Sequence, residues 1–205
     1  MNNDLKNYQN KLNKALNTVD QIYIEELYAE ILKRINNNGV IYLFGNGGSL
    51  ANCDHIVGDF RKTIIFGKNT INIQNIGGNS CYLSAASNDL DYSEVYSVLV
   101  EKLITKKDLI IFLSGSGNSC NLIKCAKKAF RKKIKQVSIS AYNGGELKRI
   151  VDIPIHINFP DMEIAEDCQM IIFHNIKQRL VKDLIDDEYV NMNKYKKRIN
   201  EDLIA

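Results

Sequence analysis

The chain has no tryptophan and only two prolines, Pro154 and Pro160. With so little proline and no Pro/Ser-rich stretch, nothing marks an interdomain linker. No apolar run approaches the roughly 18–20 residues that a membrane span needs, and the polar segment Met1 to Gln21 lacks the apolar centre of an export signal. There is no basic excess either: 27 Lys and Arg face 24 Asp and Glu, a formal charge of +3, which argues against a dedicated nucleic-acid binder. The five cysteines (Cys53, Cys81, Cys120, Cys125 and Cys168) are odd in number and include no CxxC pair. Free thiols in a reducing compartment are therefore expected, and a zinc knuckle is not. Together these absences point to a cytoplasmic protein with neither membrane nor nucleic acid as partner.

What is present suits one globular domain: 205 residues, 45% hydrophobic and 25% charged, long enough to bury a sizeable core. Leu5, Tyr8, Leu12 and Leu16, then Ile22, Ile24, Leu27, Ile31 and Ile35, recur at helical steps and predict two N-terminal helices. Asn36-Asn37-Asn38-Gly39 ends the second, with Gly39 the expected C-cap. Val40–Phe44 is a short continuous apolar run, as befits a strand covered on both faces. Similar runs predict strands at 70–74, 109–113, 136–140 and 153–157. Helical stretches fall between and after them, at 50–62, 79–104 with a break near Asn88-Asp89, 118–132, 145–150 and 161–186. This alternation implies a three-layer, doubly wound, five-stranded parallel sheet, flavodoxin-like, with two extra N-terminal helices. Those two helices are apolar on one face and precede a sheet already complete, so a neighbouring subunit is the surface expected to cover them; the alternative is that they cap their own sheet. After about residue 183 acidic and basic residues alternate, as in a solvated end.

Ligands of open α/β sheets bind at the carboxyl ends of strands, and two segments there are informative. The first strand runs into Gly45-Asn46-Gly47-Gly48-Ser49 and the third into Ser114-Gly115-Ser116-Gly117-Asn118-Ser119, each followed by a helix. Glycines admit a ligand close to backbone N–H groups, hydroxyls add donors, and the helix start adds partial positive charge. Neither segment has the GxGxxG or GxxxxGK[ST] spacing, so no nucleotide cofactor is expected. The pair points to an anionic, hydroxyl-rich ligand.

With these motifs in hand, the sequence resembles the SIS (sugar isomerase) domain family, and within it the phosphoheptose isomerases. The resemblance rests on Gly45–Ser49, on His55 six residues beyond that serine, on Ser87-Asn88-Asp89, on Ser114–Ser119, and on Ala165-Glu166-Asp167-Cys168-Gln169 opening the last helix. It implies one SIS domain over 1–205: a helical pair over 1–38, an α/β core over 39–186 and a polar tail over 187–205. It also implies interconversion of sedoheptulose 7-phosphate and D-glycero-D-manno-heptose 7-phosphate through an enediol, supplying heptose for lipopolysaccharide or capsule. A homotetramer with intersubunit active sites, and zinc near the chemistry, belong to the same resemblance.

Carried over residue by residue, the resemblance gives Ser114, Gly115, Ser116 and Ser119 to the phosphate. Asn46, Gly47, Gly48, Ser49, Asn88, Asp89 and Gln169 would bind the rest of the substrate. His55, Asp59 and Gln169 match metal positions, and Asp59 stands where the family has its base. Four departures matter. Asp59 replaces a Glu, shortening its reach by one methylene, about 1.5 Å. Lys177 occupies the place of a zinc-binding His, and an ammonium has no lone pair to ligate with; it could instead serve as a fixed cation beside an enediolate. Gly115 stands where Thr is frequent, and Glu166 where Asp is common. His174, five residues past Gln169, lies about 140° around a helix from it, which predicts a packing or interface role. Asp59, His55 and Lys177 are thus the expected catalytic residues. Two alternatives stay open: a non-catalytic sugar-phosphate-binding or initiator-associating adaptor, and a metal-free isomerase of another phosphosugar.

Overall fold

Strands and helices alternate along the chain because short, wholly apolar runs are separated by amphipathic ones. The computed structural model describes residues 4–64 and 71–184; the expected polar tail, the last two residues of the expected final helix and Thr70 of the expected second strand lie outside them. The order is α1 (Asp4–Leu16), α2 (Gln21–Asn37), β1 (Ile41–Phe44), α3 (Gly47–Ile64), β2 (Ile73–Asn75), α4 (Ser80–Asp89) and α5 (Ser97–Leu103). There follow β3 (Leu109–Ser114), α6 (Cys120–Arg131), β4 (Lys135–Ser140), α7 (Leu147–Ile150), β5 (Ile153–His156) and α8 (Met162–Leu184). All five strands pair in parallel, in the order β2-β1-β3-β4-β5.

The strand period of two divides the core. Ile41, Leu43, Leu109, Ile111, Val137, Ile139, Ile153 and Ile155 face a layer built from α2, α3 and α8. Tyr42, Phe44, Ile110 and Phe112 face the layer of α4 to α7. Every residue of β1 and β3 is buried, which is why both read as unbroken apolar runs.

Two details correct the sequence reading. The left-handed residue ending α2 is Asn38 (φ 55°), not Gly39. Glycine is needed at 39 for another reason: a Cβ there would fall 2.3 Å from the Lys107 carbonyl oxygen. The N-terminal helices also find their partner within the chain. Ile24, Leu27, Ile31 and Ile35 of α2 are buried in the core with the sheet. α1 is tied to α8 by Tyr8, whose hydroxyl donates to Asp167 at 2.9 Å, while Lys11 pairs with Asp161 near the start of that helix at 3.2 Å. α2 covers its own sheet and α1 packs on α8, so the buried faces of these helices are no argument for a neighbouring subunit.

Candidate active site

β1 and β3 are neighbours, yet the helices that follow them pack on opposite faces, α3 with α2 and α8, α6 with α4 and α5. The chain ends diverge there and leave a crevice outside the carboxyl ends of the strands. Both glycine-rich segments border it.

The segment after β3 is shaped by close packing. Gly117 has φ +67°, and a Cβ there would sit 2.1 Å from the Gly144 carbonyl oxygen. The neighbouring turn clasps it: the Ala141 N–H donates to the Gly115 carbonyl, the Leu147 N–H to the Gly117 carbonyl, and the Glu146 N–H to the Asn118 side chain. Gly115 is bare because Met162 occupies the space, with a Cβ falling 2.1 Å from its sulfur. A larger residue between the serines would have to displace the Met162 side chain. Ser114 Oγ accepts the Gly117 N–H and Ser116 Oγ the Asn118 N–H, both at 3.1 Å. Ser119 is the N-cap of α6, but its side chain makes no capping hydrogen bond. Its hydroxyl and the N–H groups of Cys120 and Asn121 remain available to an anion, while the Leu122 N–H donates to Asn121 Oδ1 at 2.9 Å.

The segment after β1 is tied to this one. The amides of Asn46 and Asn121 exchange two hydrogen bonds at 2.9 Å, and the Tyr92 hydroxyl donates to Asn46 Oδ1 at 2.8 Å. Neither Asn121 nor Tyr92 is among the residues expected from the sequence. The only signal for Asn121 is a polar residue within the apolar stripe of α6. Gly47 has φ +54° with open space around it, while a Cβ at Gly48 would lie 2.3 Å from a Glu166 carboxylate oxygen. Burial holds the Glu166 carboxyl above its ordinary range, against a hydrogen bond from the Ser49 backbone. Ser49 itself is buried and accepts from the Gln169 amide at 3.3 Å. The Gln169 carbonyl accepts from Asn52 at 3.1 Å, so both ends of this fully buried amide are engaged. Asn88 and Asp89, at the exposed end of α4, bond each other; among the described residues no hydrogen bond joins them to either segment.

Further along α3, the apolar stripe Cys53, Ile56, Val57 and Phe60 turns toward the core, and Phe60 meets Phe173 of α8 edge-on at 6.1 Å. This contact sets the two helices side by side and brings their outer edges together. His55 Nε2, His174 Nε2 and Lys177 Nζ lie 3.8, 3.3 and 3.2 Å from Asp59 Oδ2. The rings of His55 and His174 are 5.4 Å apart. His174 is therefore part of the cluster rather than a packing residue: it does project away from Gln169, but it projects toward α3. Lys177, expected as a fixed cation, is half-buried against Asp59. The ligand atoms of His55, Asp59 and His174 lie within 4.8 Å of one another, a grouping able to hold a metal ion. Gln169, the third expected ligand, has its amide committed elsewhere.

No helix among the described residues is long and apolar enough to cross a membrane. Comparison with known proteins agrees with this architecture. The chain is 28% identical over 173 residues to the probable phosphoheptose isomerase of Thermoplasma volcanium, covering 84% of this chain and 88% of that one. It is 25% identical over 186 residues to the phosphoheptose isomerase of Helicobacter pylori, covering 91% and 94%. The structure of phosphoheptose isomerase from Neisseria gonorrhoeae has the same fold, with a TM-score of 0.78 and 19% identity, over 88% of this chain and 98% of that one. The SIS domain profile matches residues 6–141, a span holding both glycine-rich segments, His55 and Asp59; with the crevice between β1 and β3 they build, the chain belongs to the SIS domain family.

Proposed function

We propose that the protein is a phosphoheptose isomerase, interconverting sedoheptulose 7-phosphate and D-glycero-D-manno-heptose 7-phosphate. The observation that carries this reading is the joined pair of segments at one crevice, with Asn46 and Asn121 linking the serine-rich turn to the segment that leads into α3. Ser116, Ser119 and the N–H groups opening α6 suit the phosphate. Asn46, Gly47, Gly48 and Glu166 suit the sugar hydroxyls, and so do Asn88 and Asp89 if substrate reaches them. The relatives named phosphoheptose isomerase, matched over most of their lengths, support the substrate class.

The reaction moves one proton between adjacent carbons. A base takes it from C1 of the ketose and the electron pair closes a C1–C2 double bond. The proton returns at C2 while a hydroxyl proton passes from O1 to O2, leaving the aldose. Asp59 is the assigned base. Lys177, 3.2 Å from its carboxylate, supplies a fixed positive charge beside the enediolate, and with no metal bound His55 is the assigned carrier for the hydroxyl proton. Zinc, which the family resemblance implies, would polarise the substrate carbonyl when bound; His55 and Asp59 are the residues that would hold it. The homotetramer and the cytoplasmic setting are part of the same proposal. Exposed Leu5 of α1 and Ile22 of α2 give it apolar outer surface to bury, and light scattering tests it. A product destined for lipopolysaccharide or capsule follows from the proposed substrate.

A second reading has its own observation. Lys177 already pairs with Asp59, so the carboxylate is partly neutralised, as would suit a sugar-phosphate sensor or an initiator-associating adaptor. Incubation with sedoheptulose 7-phosphate, followed by NMR, separates the two. Aldose signals growing to equilibrium are expected. Their absence, with and without added zinc, overturns the isomerase reading.

A further inference from the structure

We infer that His55, Asp59 and His174 form a three-ligand site for a first-row divalent cation, with His174 supplying from α8 the imidazole that Lys177 cannot. His174 Nε2 and His55 Nε2 stand 3.3 and 3.8 Å from Asp59 Oδ2. Both separations exceed the roughly 2.7–2.9 Å of a charge-assisted hydrogen bond. Ligand bonds of about 2.0–2.1 Å around a tetrahedral ion place neighbouring donor atoms about 3.3 Å apart. The 3.3 Å between His174 and Asp59 matches that spacing, and His55 at 3.8 Å has about 0.5 Å to close, a small movement for a side chain 57% exposed.

The donor chemistry agrees. Two imidazoles and a carboxylate suit zinc, cobalt or nickel. Both His side chains are about half exposed, at 57% and 46%, so the cluster faces outward and leaves a coordination position for substrate or water, the arrangement of catalytic rather than structural sites. The Phe60–Phe173 contact behind it fixes the spacing of the two helices. Gln169 is left out, because both ends of its amide are engaged with Asn52 and Ser49. Lys177 makes the site distinctive. Its ammonium competes for the same Asp59 oxygen and repels an incoming dication, so the ion is held more weakly and more exchangeably than the same three ligands would otherwise hold it.

Whether the ion serves isomerisation rests on the function proposed above; its binding does not, and the test is made without substrate. Metal-stripped protein is titrated with Co²⁺ and followed by visible absorption and calorimetry. One ion per chain with intense d–d bands is expected. His174→Ala should weaken binding by at least about 100-fold, the upper end for loss of a mere outer-shell partner of a ligand. Gln169→Ala should leave the bands in place, and Lys177→Gln should strengthen binding by about tenfold or more. Far-UV circular dichroism shows that each variant folds. His174 and Lys177 are on the surface, so at least one of these variants reports on the site even if Gln169→Ala does not fold. No bands in the wild type, His174→Ala binding like the wild type, or loss of the bands in folded Gln169→Ala would each overturn the inference. Cobalt bound without isomerisation would instead count against the function, and isomerisation without any metal binding against this site alone.

Discussion

Replacing Gly117 by alanine tests whether the serine-rich turn is held in shape by its contact with the neighbouring turn. Two costs add. A side chain at φ +67° pays the left-handed penalty of about 1–2 kcal/mol. The new Cβ would also lie 2.1 Å from the Gly144 carbonyl oxygen, a backbone atom that cannot rotate away. Relieving such overpacking costs roughly 1–3 kcal/mol. The sum is about 3 kcal/mol, which for a chain of this size lowers Tm by roughly 6–12 °C. Gly47→Ala is the built-in control: its φ is +54°, but its Cβ meets nothing within 4 Å. Only the first cost applies, about 1 kcal/mol, or roughly 2–4 °C. Thermal unfolding by circular dichroism reads both. Equal shifts, or a Gly117→Ala shift under about 2 °C, would refute the account of the turn. A folded Gly117→Ala protein should also bind sugar phosphates more weakly, since its turn can no longer rest against Gly144 and Gly145.

Asp59→Asn keeps the size of the side chain and removes the proposed base; isomerisation should fall by about 10²–10⁴-fold, and near wild-type turnover would remove Asp59 from the mechanism. Tyr92→Phe deletes one hydrogen bond to Asn46, worth about 0.5–1.5 kcal/mol. KM for the sugar phosphate should change by roughly 2- to 12-fold with kcat little altered, whereas unchanged KM would make the Tyr92–Asn46 contact incidental. The Tyr28 hydroxyl donates to Asp183, and burial, followed by that hydrogen bond, pushes its pKa up to about 12. Because the folded value lies above the unfolded value of about 10, this stabilisation is complete below pH 10 and is lost as pH rises from 10 toward 12. Phenolate absorbance should show tyrosines ionising near pH 12, a range that Tyr28 shares with Tyr8, and Tyr28→Phe should shrink that step by one tyrosine and remove its share of the alkaline loss of stability. A Tyr28 titration at about pH 10 would contradict it.

The parts of the fold legible in the sequence are those set by local pattern. β1 and β3 read as strands because burial on both faces demands unbroken apolar runs, and α3 and α8 read as helices from their stripes. The two glycine-rich segments stood out because no simple turn needs so many hydroxyls and bare backbones together. What was not legible depends on which elements lie side by side. The angle between Gln169 and His174 on one helix was sound, but it could not show that α3 runs beside α8 with Asp59 at the meeting line. The same neighbour makes Lys177 the partner of a carboxylate. Tyr92 reaches Asn46 across 46 positions of sequence, a distance at which no periodicity speaks. For the N-terminal helices, the sequence showed an apolar face but not that the sheet still had a side to cover, which α2 fills with Ile24, Leu27 and Ile31. At the end of α2 the glycine drew the cap assignment, whereas Asn38 takes the left-handed conformation and Gly39 the tight approach to Lys107.

The central claim is that the crevice between β1 and β3 receives a phosphorylated sugar, phosphate first. A crystal structure of the protein with sedoheptulose 7-phosphate tests it most directly. The phosphate is expected against Ser116, Ser119 and the first N–H groups of α6, with the carbonyl end of the sugar directed toward Asp59. Phosphate bound elsewhere, or a sugar whose first two carbons lie far from Asp59, would contradict it.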